Sequence, residues 1–269
     1  MSSAPVRSAV PRLPRQFTFA VALIALVAAG AAGCNQGLFG KVYEYEEDLY
    51  LSLDGSAELI VNASIPSLVN LRGLDLPLDQ AAQVDRDAIR SVYASPVAEV
   101  TRVSRPWRRQ GRRFVQIRLR VNDIRRLTEA APFSWSAYEL AEKDGLVVYR
   151  QTVGKSAMRP ASLTKVGWTG GELVAFKLHL PSKIVWHNAR ELETNEPSDI
   201  ARGNILTWEQ ALTDRLDGRP VSIEVRMDRQ SILHRTLWLF AGAFLAAVLL
   251  ICALLWLTIR KGRKEGEPA

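Results

Sequence analysis

Apolar and polar positions alternate from Val42 onward. Tyr43, Tyr45, Leu49, Leu51 and Leu53 share one parity, and Glu44, Glu46, Asp48 and Ser52 the other. After Asp54-Gly55 the alternation resumes with Ala57, Leu59, Val61, Ala63 and Ile65. Two period-2 runs around an Asp-Gly predict a β-hairpin. Pro66 to Pro77 shows no period and reads as irregular. From Leu78 to Tyr93 the period changes: Ala81, Val84, Ala88 and Val92 fall on one helical face. Val97 to Ser104 and Phe114 to Val121 read as paired strands, and Asn122 or Asp123 can cap a short helix through Glu129.

The second half is mostly strand. Phe133 to Leu140 and Leu146 to Val153 flank a turn at 142–145, and a loop of turn formers fills 154–171. Strands follow at Leu173 to Leu180, around Ile184 to Trp186 and around Ile205 to Trp208, and last at Val221 to Met227. Short turns between strands imply antiparallel neighbours. The pattern predicts an α+β class: a curved antiparallel sheet or an open barrel with two packed helices, plus a C-terminal transmembrane helix.

Two apolar runs bracket this domain. Residues 1–33 hold an arginine-bearing start (Met1 to Gln16), an apolar run (Phe17 to Val27) and a small-residue zone (Ala28 to Gly33), the layout of a secretory signal. Cys34 follows at once, and Ala31-Ala32-Gly33-Cys34 is similar to the lipobox at which bacterial lipoproteins are acylated. Lipidation at Cys34 is the leading reading; an ordinary cleaved signal and a retained anchor helix stay open. Thr236 to Ile259 is 24 residues without a charge, about 36 Å of helix. Trp238 and Trp256 lie near its ends, and Arg260, Lys261, Arg263 and Lys264 follow. Such a basic cluster stays cytoplasmic. The expected layout is a signal over 1–33, an exported domain over 34–233, a membrane helix over 236–259 and a basic cytoplasmic tail over 260–269.

The net charge of +7 changes meaning once it is placed. From Cys34 to Leu233 there are 27 lysines and arginines against 26 acids, so the domain is almost neutral. The excess reports membrane topology, and a nucleic-acid partner loses its main support. Cys34 and Cys252 cannot staple the folded part. The histidines, His179, His187 and His234, lack metal-ligand spacing. No nucleophile elbow, phosphate-cradling loop or Ser-x-x-Lys helix start is present, so neither catalytic residues, a metal nor a cofactor is expected.

One local feature is unusual. Arg102 to Arg126 contains ten arginines and a single acid, Asp123. Its centre, Arg105-Pro106-Trp107-Arg108-Arg109-Gln110-Gly111-Arg112-Arg113, reads as a hairpin tip. Guanidinium groups grip phosphate or carboxylate in pairs, and tryptophan suits an interface. Arg105, Trp107, Arg108, Arg109, Arg112 and Arg113 are therefore the candidate anionic-ligand residues. The bland alternative is a charged edge hairpin that prevents sheet-to-sheet association. The acidic run Glu44 to Asp48 could pair with it structurally.

The lipobox-like leader, the Asp54-Gly55 hairpin and the terminal helix with its basic end occur together with Leu178-His179-Leu180-Pro181-Ser182-Lys183-Ile184-Val185, Asn188-Ala189 and Gly203-Asn204-Ile205-Leu206-Thr207-Trp208. In combination they resemble the LppM-like family of bacterial membrane lipoproteins. Ser182 stands where that family has glycine, and Ala31 opens the lipobox in place of leucine. The resemblance implies a non-enzymatic exported domain that binds lipid or envelope glycolipid. The expected partners are the lipid bilayer and an anionic lipid or glycolipid. A membrane-protein partner of a structural subunit is the alternative, and an envelope hydrolase the remote one. An apolar cavity for a lipid tail, with the arginine hairpin at its mouth or against the membrane, is the expected arrangement.

Overall fold

A computed structural model describes residues 41–155 and 167–265. The chain divides into Met1–Val42 and Tyr43–Ala269; the leader and Cys34 lie outside the described residues. In the second unit the strands are β1 (Tyr43–Leu51), β2 (Ala57–Ser64), β3 (Ala98–Val103), β4 (Trp107–Arg109), β5 (Arg112–Val121), β6 (Ser136–Lys143), β7 (Leu146–Val153), β8 (Leu173–His179), β9 (Ser182–His187), β10 (Ile205–Ala211) and β11 (Val221–Ser231). The α-helices are α1 (Ile65–Arg72), α2 (Arg86–Tyr93), α3 (Leu212–Leu216) and α4 (Ile232–Glu265).

The class is α+β, with two open sheets. The larger has the order β10-β8-β1-β2-β5-β3, with β4 added to β5; the smaller is β6-β7-β11-β9. Odd positions of β1 and β5 face the shared core with Leu59, Val61, Phe176, Tyr149 and Val225, all buried. The β1–β2 hairpin closes at Gly55, whose φ of +93° a side chain would strain, and Asp54 accepts from Ser56 N–H at 2.9 Å. One pairing departs from the antiparallel expectation: β8 runs parallel to β1. Turn chemistry specifies only chain neighbours, and this contact joins strands with six others between them in sequence.

Two segments differ from the reading by period. The stretch after Pro66 is not irregular but α1, in which seven of eight residues are buried. A helix covered all round has no polar face, so it leaves no 3.6-residue signature. Its signals are the ends: Ser64 Oγ accepts from Ser67 N–H at 3.1 Å, and Gly73 closes it at φ +62°. The helix expected from Leu78 begins only at Arg86, capped by Asp85. Residues 78–84 therefore keep backbone carbonyls that a helix would have consumed. The helix expected after Asp123 is a 3₁₀ turn, Ile124–Glu129, capped by Asp123, and the strand expected from Phe133 starts at Ser136.

Helix α4 follows β11 with no linker, and its segment Thr236–Leu257 is long and apolar enough to cross a membrane. The Ile232 N–H donates to Pro181 O at 2.9 Å, which pins the start of α4 to the β8–β9 turn. The end of β8 holding His179 and Leu180 is thus beside α4. At ~3.3 Å per residue, Glu172 lies about 25 Å away at the other end of that strand.

Candidate functional site

The arginine run folds as the tip it predicts. Gln110 and Gly111, at φ 47° and 73°, form a two-residue turn of the twist that suits a hairpin. Trp107 opposes Phe114, Arg108 opposes Arg113 and Arg109 opposes Arg112. Cross-strand partners share a face, so the tip has two.

On the core-side face Arg113 is buried and donates to Ala82 O and Pro77 O at 2.5 Å each. Beside it Arg108 donates to Gln80 O at 2.9 Å, and the Gln80 amide returns a bond to Gly111 O. These acceptors are the carbonyls left by the unformed start of α2. On the outer face Arg112 Nε lies 2.8 Å from Glu44 Oε1, and its Nη1 3.6 Å from Glu172 Oε1. Trp168 Nε1 donates to the other Glu44 oxygen at 3.0 Å. Burial pushes the Glu172 carboxyl up, but the N–H groups of Thr169 and Gly170 and the Arg112 guanidinium outweigh it and hold it below the usual range. Trp107 stacks on Phe114 with ring centres 6.0 Å apart and keeps 39% of its surface exposed.

All six candidate residues are on or beside one hairpin, but they are not equivalent. Arg112 and Arg113 are spent on internal partners. Arg105, Trp107, Arg108 and Arg109 are exposed. A groove of about 520 Å³ opens beside them, lined by Arg86, Arg105, Trp107, Arg108, Gln80 and Gln83 among others, and no carboxylate is in its lining. Arg86, Gln80 and Gln83 escape a reading by sequence: on a helix over 78–93 they would form an ordinary polar stripe, and nothing in their spacing ties that stripe to the hairpin. Of the acidic run, only Glu44 meets the tip. Glu46 pairs with Lys177, Asp48 lies 3.5 Å from His179, and Glu47 points inward.

The groove is apart from the start of α4. Arg112 reaches Glu172, at the end of β8 remote from α4, so the tip and the start of α4 occupy opposite ends of that strand. The hairpin is not packed against α4. A hollow of about 10 Å³ beside Glu47, Tyr138 and Gln151 holds one water at most. Two polar contacts staple the segments around β9 and β10: Trp208 Nε1 donates to Asn188 Oδ1 at 3.0 Å, and Asn204 Nδ2 to Ser182 O at 2.6 Å.

No family model matches the chain, and no curated protein does. Among solved structures, the NMR structure of the folded domain of LppM from Mycobacterium tuberculosis is similar. It is 13% identical, covers 74% of this chain and 98% of that one, and superposes with a TM-score of 0.36. A likeness of that degree carries no argument about the groove.

A second charged cluster is sealed inside. Glu47 sits on the apolar parity of β1, where Arg72 Nη2 meets its carboxylate at 2.9 Å and Tyr45 Oη donates to the same oxygen at 2.8 Å. Arg72 also bonds Tyr45 Oη, and its guanidinium carbon lies 3.4 Å from the centre of the Trp135 ring. Burial lifts the Glu47 carboxyl above the ordinary range against the pull of Arg72. Arg215, fully buried, donates to Gly154 O. Burial, with Arg72 nearby, lowers its pKa to about 10, so it stays cationic at neutral pH. The cluster has the residue types of a site but no exposure to a ligand. Its work is structural.

Proposed function

We propose that this chain is a non-enzymatic, membrane-held envelope protein that binds an anionic envelope component, a lipid or glycolipid headgroup bearing phosphate, in the groove beside the arginine hairpin. One observation carries the reading: Arg86, Arg105 and Arg108 gather around an exposed Trp107 in a concave surface without a carboxylate. Paired guanidinium donors suit phosphate oxygens, and the indole face suits the sugar or glycerol portion beside them. On this reading the leader exports the N-terminus, α4 anchors the chain, and the basic residues 260–264 stay inside. The hairpin that carries the groove meets Glu172, at the end of β8 remote from the start of α4.

The test uses the full chain held in zwitterionic nanodiscs and co-sedimented with phosphatidylglycerol vesicles. Arg86→Glu/Arg105→Glu/Arg108→Glu is expected to cut binding at least about tenfold, a change of ~1.4 kcal/mol, and salt should weaken the wild type. Binding that survives the triple reversal would sink the proposal. A single dominant protein crosslink in membranes, with no lipid adduct, would favour the structural-subunit reading instead.

A further inference from the structure

Seven large hydrophobic side chains are exposed among the described residues ahead of α4, and four of them lie together in sequence: Val185, Trp186, Leu192 and Ile200. Val185 and Trp186 are on β9, the edge strand of the smaller sheet, with no strand on its outer side among the described residues. They are 54% and 45% exposed. Ile200 and Pro197, returning from the connection to β10, close a groove of about 400 Å³ against them. The Arg226 guanidinium lies 4.9 Å from the centre of the Trp186 ring. A tryptophan with a cation over its face, beside bare aliphatic groups, is the chemistry of a bilayer interface.

Continuity with the membrane segment identifies the occupant. Ser182, at the start of β9, pairs with Ser231, the last residue before α4. Ile232 and Leu233, which open that helix, are exposed as well. Only Ser182, Lys183 and the buried Ile184 separate the apolar strip from the anchor.

We infer that the domain leans on its β9 edge, seating Val185, Trp186 and Ile200 in the interfacial layer of the bilayer that α4 crosses. The lean is required by length. Trp186 is about 13 Å along β9 from Ser182, and Thr236 is about 6 Å into α4. An upright domain would hold the indole clear of headgroups only ~5–8 Å deep. The connection also carries Glu191, Glu193, Glu196 and Asp199, and Glu191 and Asp199 line a separate hollow with Tyr43 and Glu209. Lys183, Arg190, Arg202 and Arg226 offset these acids, so local charge gives no preference for anionic lipid. The seat is apolar, independent of the arginine groove, and dependent only on α4 spanning the membrane.

The test places an environment-sensitive fluorophore at Val185→Cys, Gln110→Cys or Phe244→Cys in a full chain carrying Cys34→Ser and Cys252→Ser, reconstituted in vesicles with nitroxide lipids of graded depth. The label at 185 should emit to the blue and be quenched by shallow nitroxides, equally in phosphatidylcholine and in phosphatidylglycerol. The label at 110 should stay solvent-like, and that at 244 should be quenched by deep nitroxides. Emission at 185 as solvent-like as at 110 overturns the inference. A blue shift without quenching overturns it too, since a protein then covers the face; so does equal quenching at 110. Failure of the 244 label to quench removes the membrane anchor itself, which separates that failure from the others.

Discussion

Two regions of this molecule bring arginine to tryptophan. At the hairpin tip, Arg105 and Arg108 flank an exposed Trp107. In the core, Arg72 stacks on Trp135 and meets Glu47. The residue types match, and water makes the difference. The exposed guanidinium groups keep most of their hydration, Arg108 giving one donor to Gln80 O, so their remaining donors are available to a ligand. The buried one has lost its hydration and depends on its carboxylate and ring for compensation. Arg112 and Arg113 stand between these extremes, on the same hairpin as the exposed set but bonded like the interior one. Sequence proximity to a cluster therefore says little about what an arginine does; face and burial decide it.

The largest effect that would test this contrast is at Arg72. Arg72→Met strands the Glu47 carboxylate, and the expected loss is about 3–5 kcal/mol by denaturant unfolding of the detergent-held chain. Adding Glu47→Leu should restore part of it, because the stranded carboxylate is gone while the buried Arg215 loses its acidic neighbour; a double variant as unstable as the single one would show that the pair itself carries stability. Next is Arg113→Ala, which leaves the carbonyls of Pro77 and Ala82 without their donor. A loss of about 1–3 kcal/mol is expected, together with weaker anion binding as the 77–84 strap loosens. Unchanged stability would place Arg113 with the exposed set.

Arg112→Gln should cost no more than that, about 1–3 kcal/mol, because the glutamine amide can still donate toward the buried Glu44, and it carries a pH signature. Glu172 has a folded pKa below its unfolded value of about 4.3. Its contribution is present above that pH and is lost as pH falls through the lower folded value. Wild type should therefore lose stability on acidification below about pH 4, and Arg112→Gln should lose less over the same window. Equal slopes would mean that Arg112 is not the partner that matters. The smallest effect on the fold is expected from Arg105→Glu/Arg108→Glu: within about 0.5 kcal/mol by thermal melting, while anion binding falls. A large drop in stability there would erase the distinction between the two regions.

Much of the fold is legible because its signals are local. The β1–β2 hairpin announces itself by alternation around Asp54-Gly55, β7 by its run from Leu146, and the tip by Gln110-Gly111. Helix α1 is hidden because burial on every side removes its polar stripe. The helix expected from Leu78 is overstated because a weak 3.6-residue pattern competes with the buried Arg113, which takes the carbonyls of Pro77 and Ala82. The site is half legible. The hairpin arginines stand out by density, whereas Arg86 and Gln80 join them only through the strap.

The amino-acid sequence alone determined the strands, their turns, the near-neutral charge of the domain and the terminal apolar helix, since each follows from spacing and composition along a short stretch. Tertiary structure alone decided the parallel β1–β8 pairing, the filling of the interior, which arginines stay available, and the separation of the hairpin from α4. Those outcomes depend on contacts between residues far apart in sequence, and on which side of each strand is denied water. Neither quantity is carried by any local pattern.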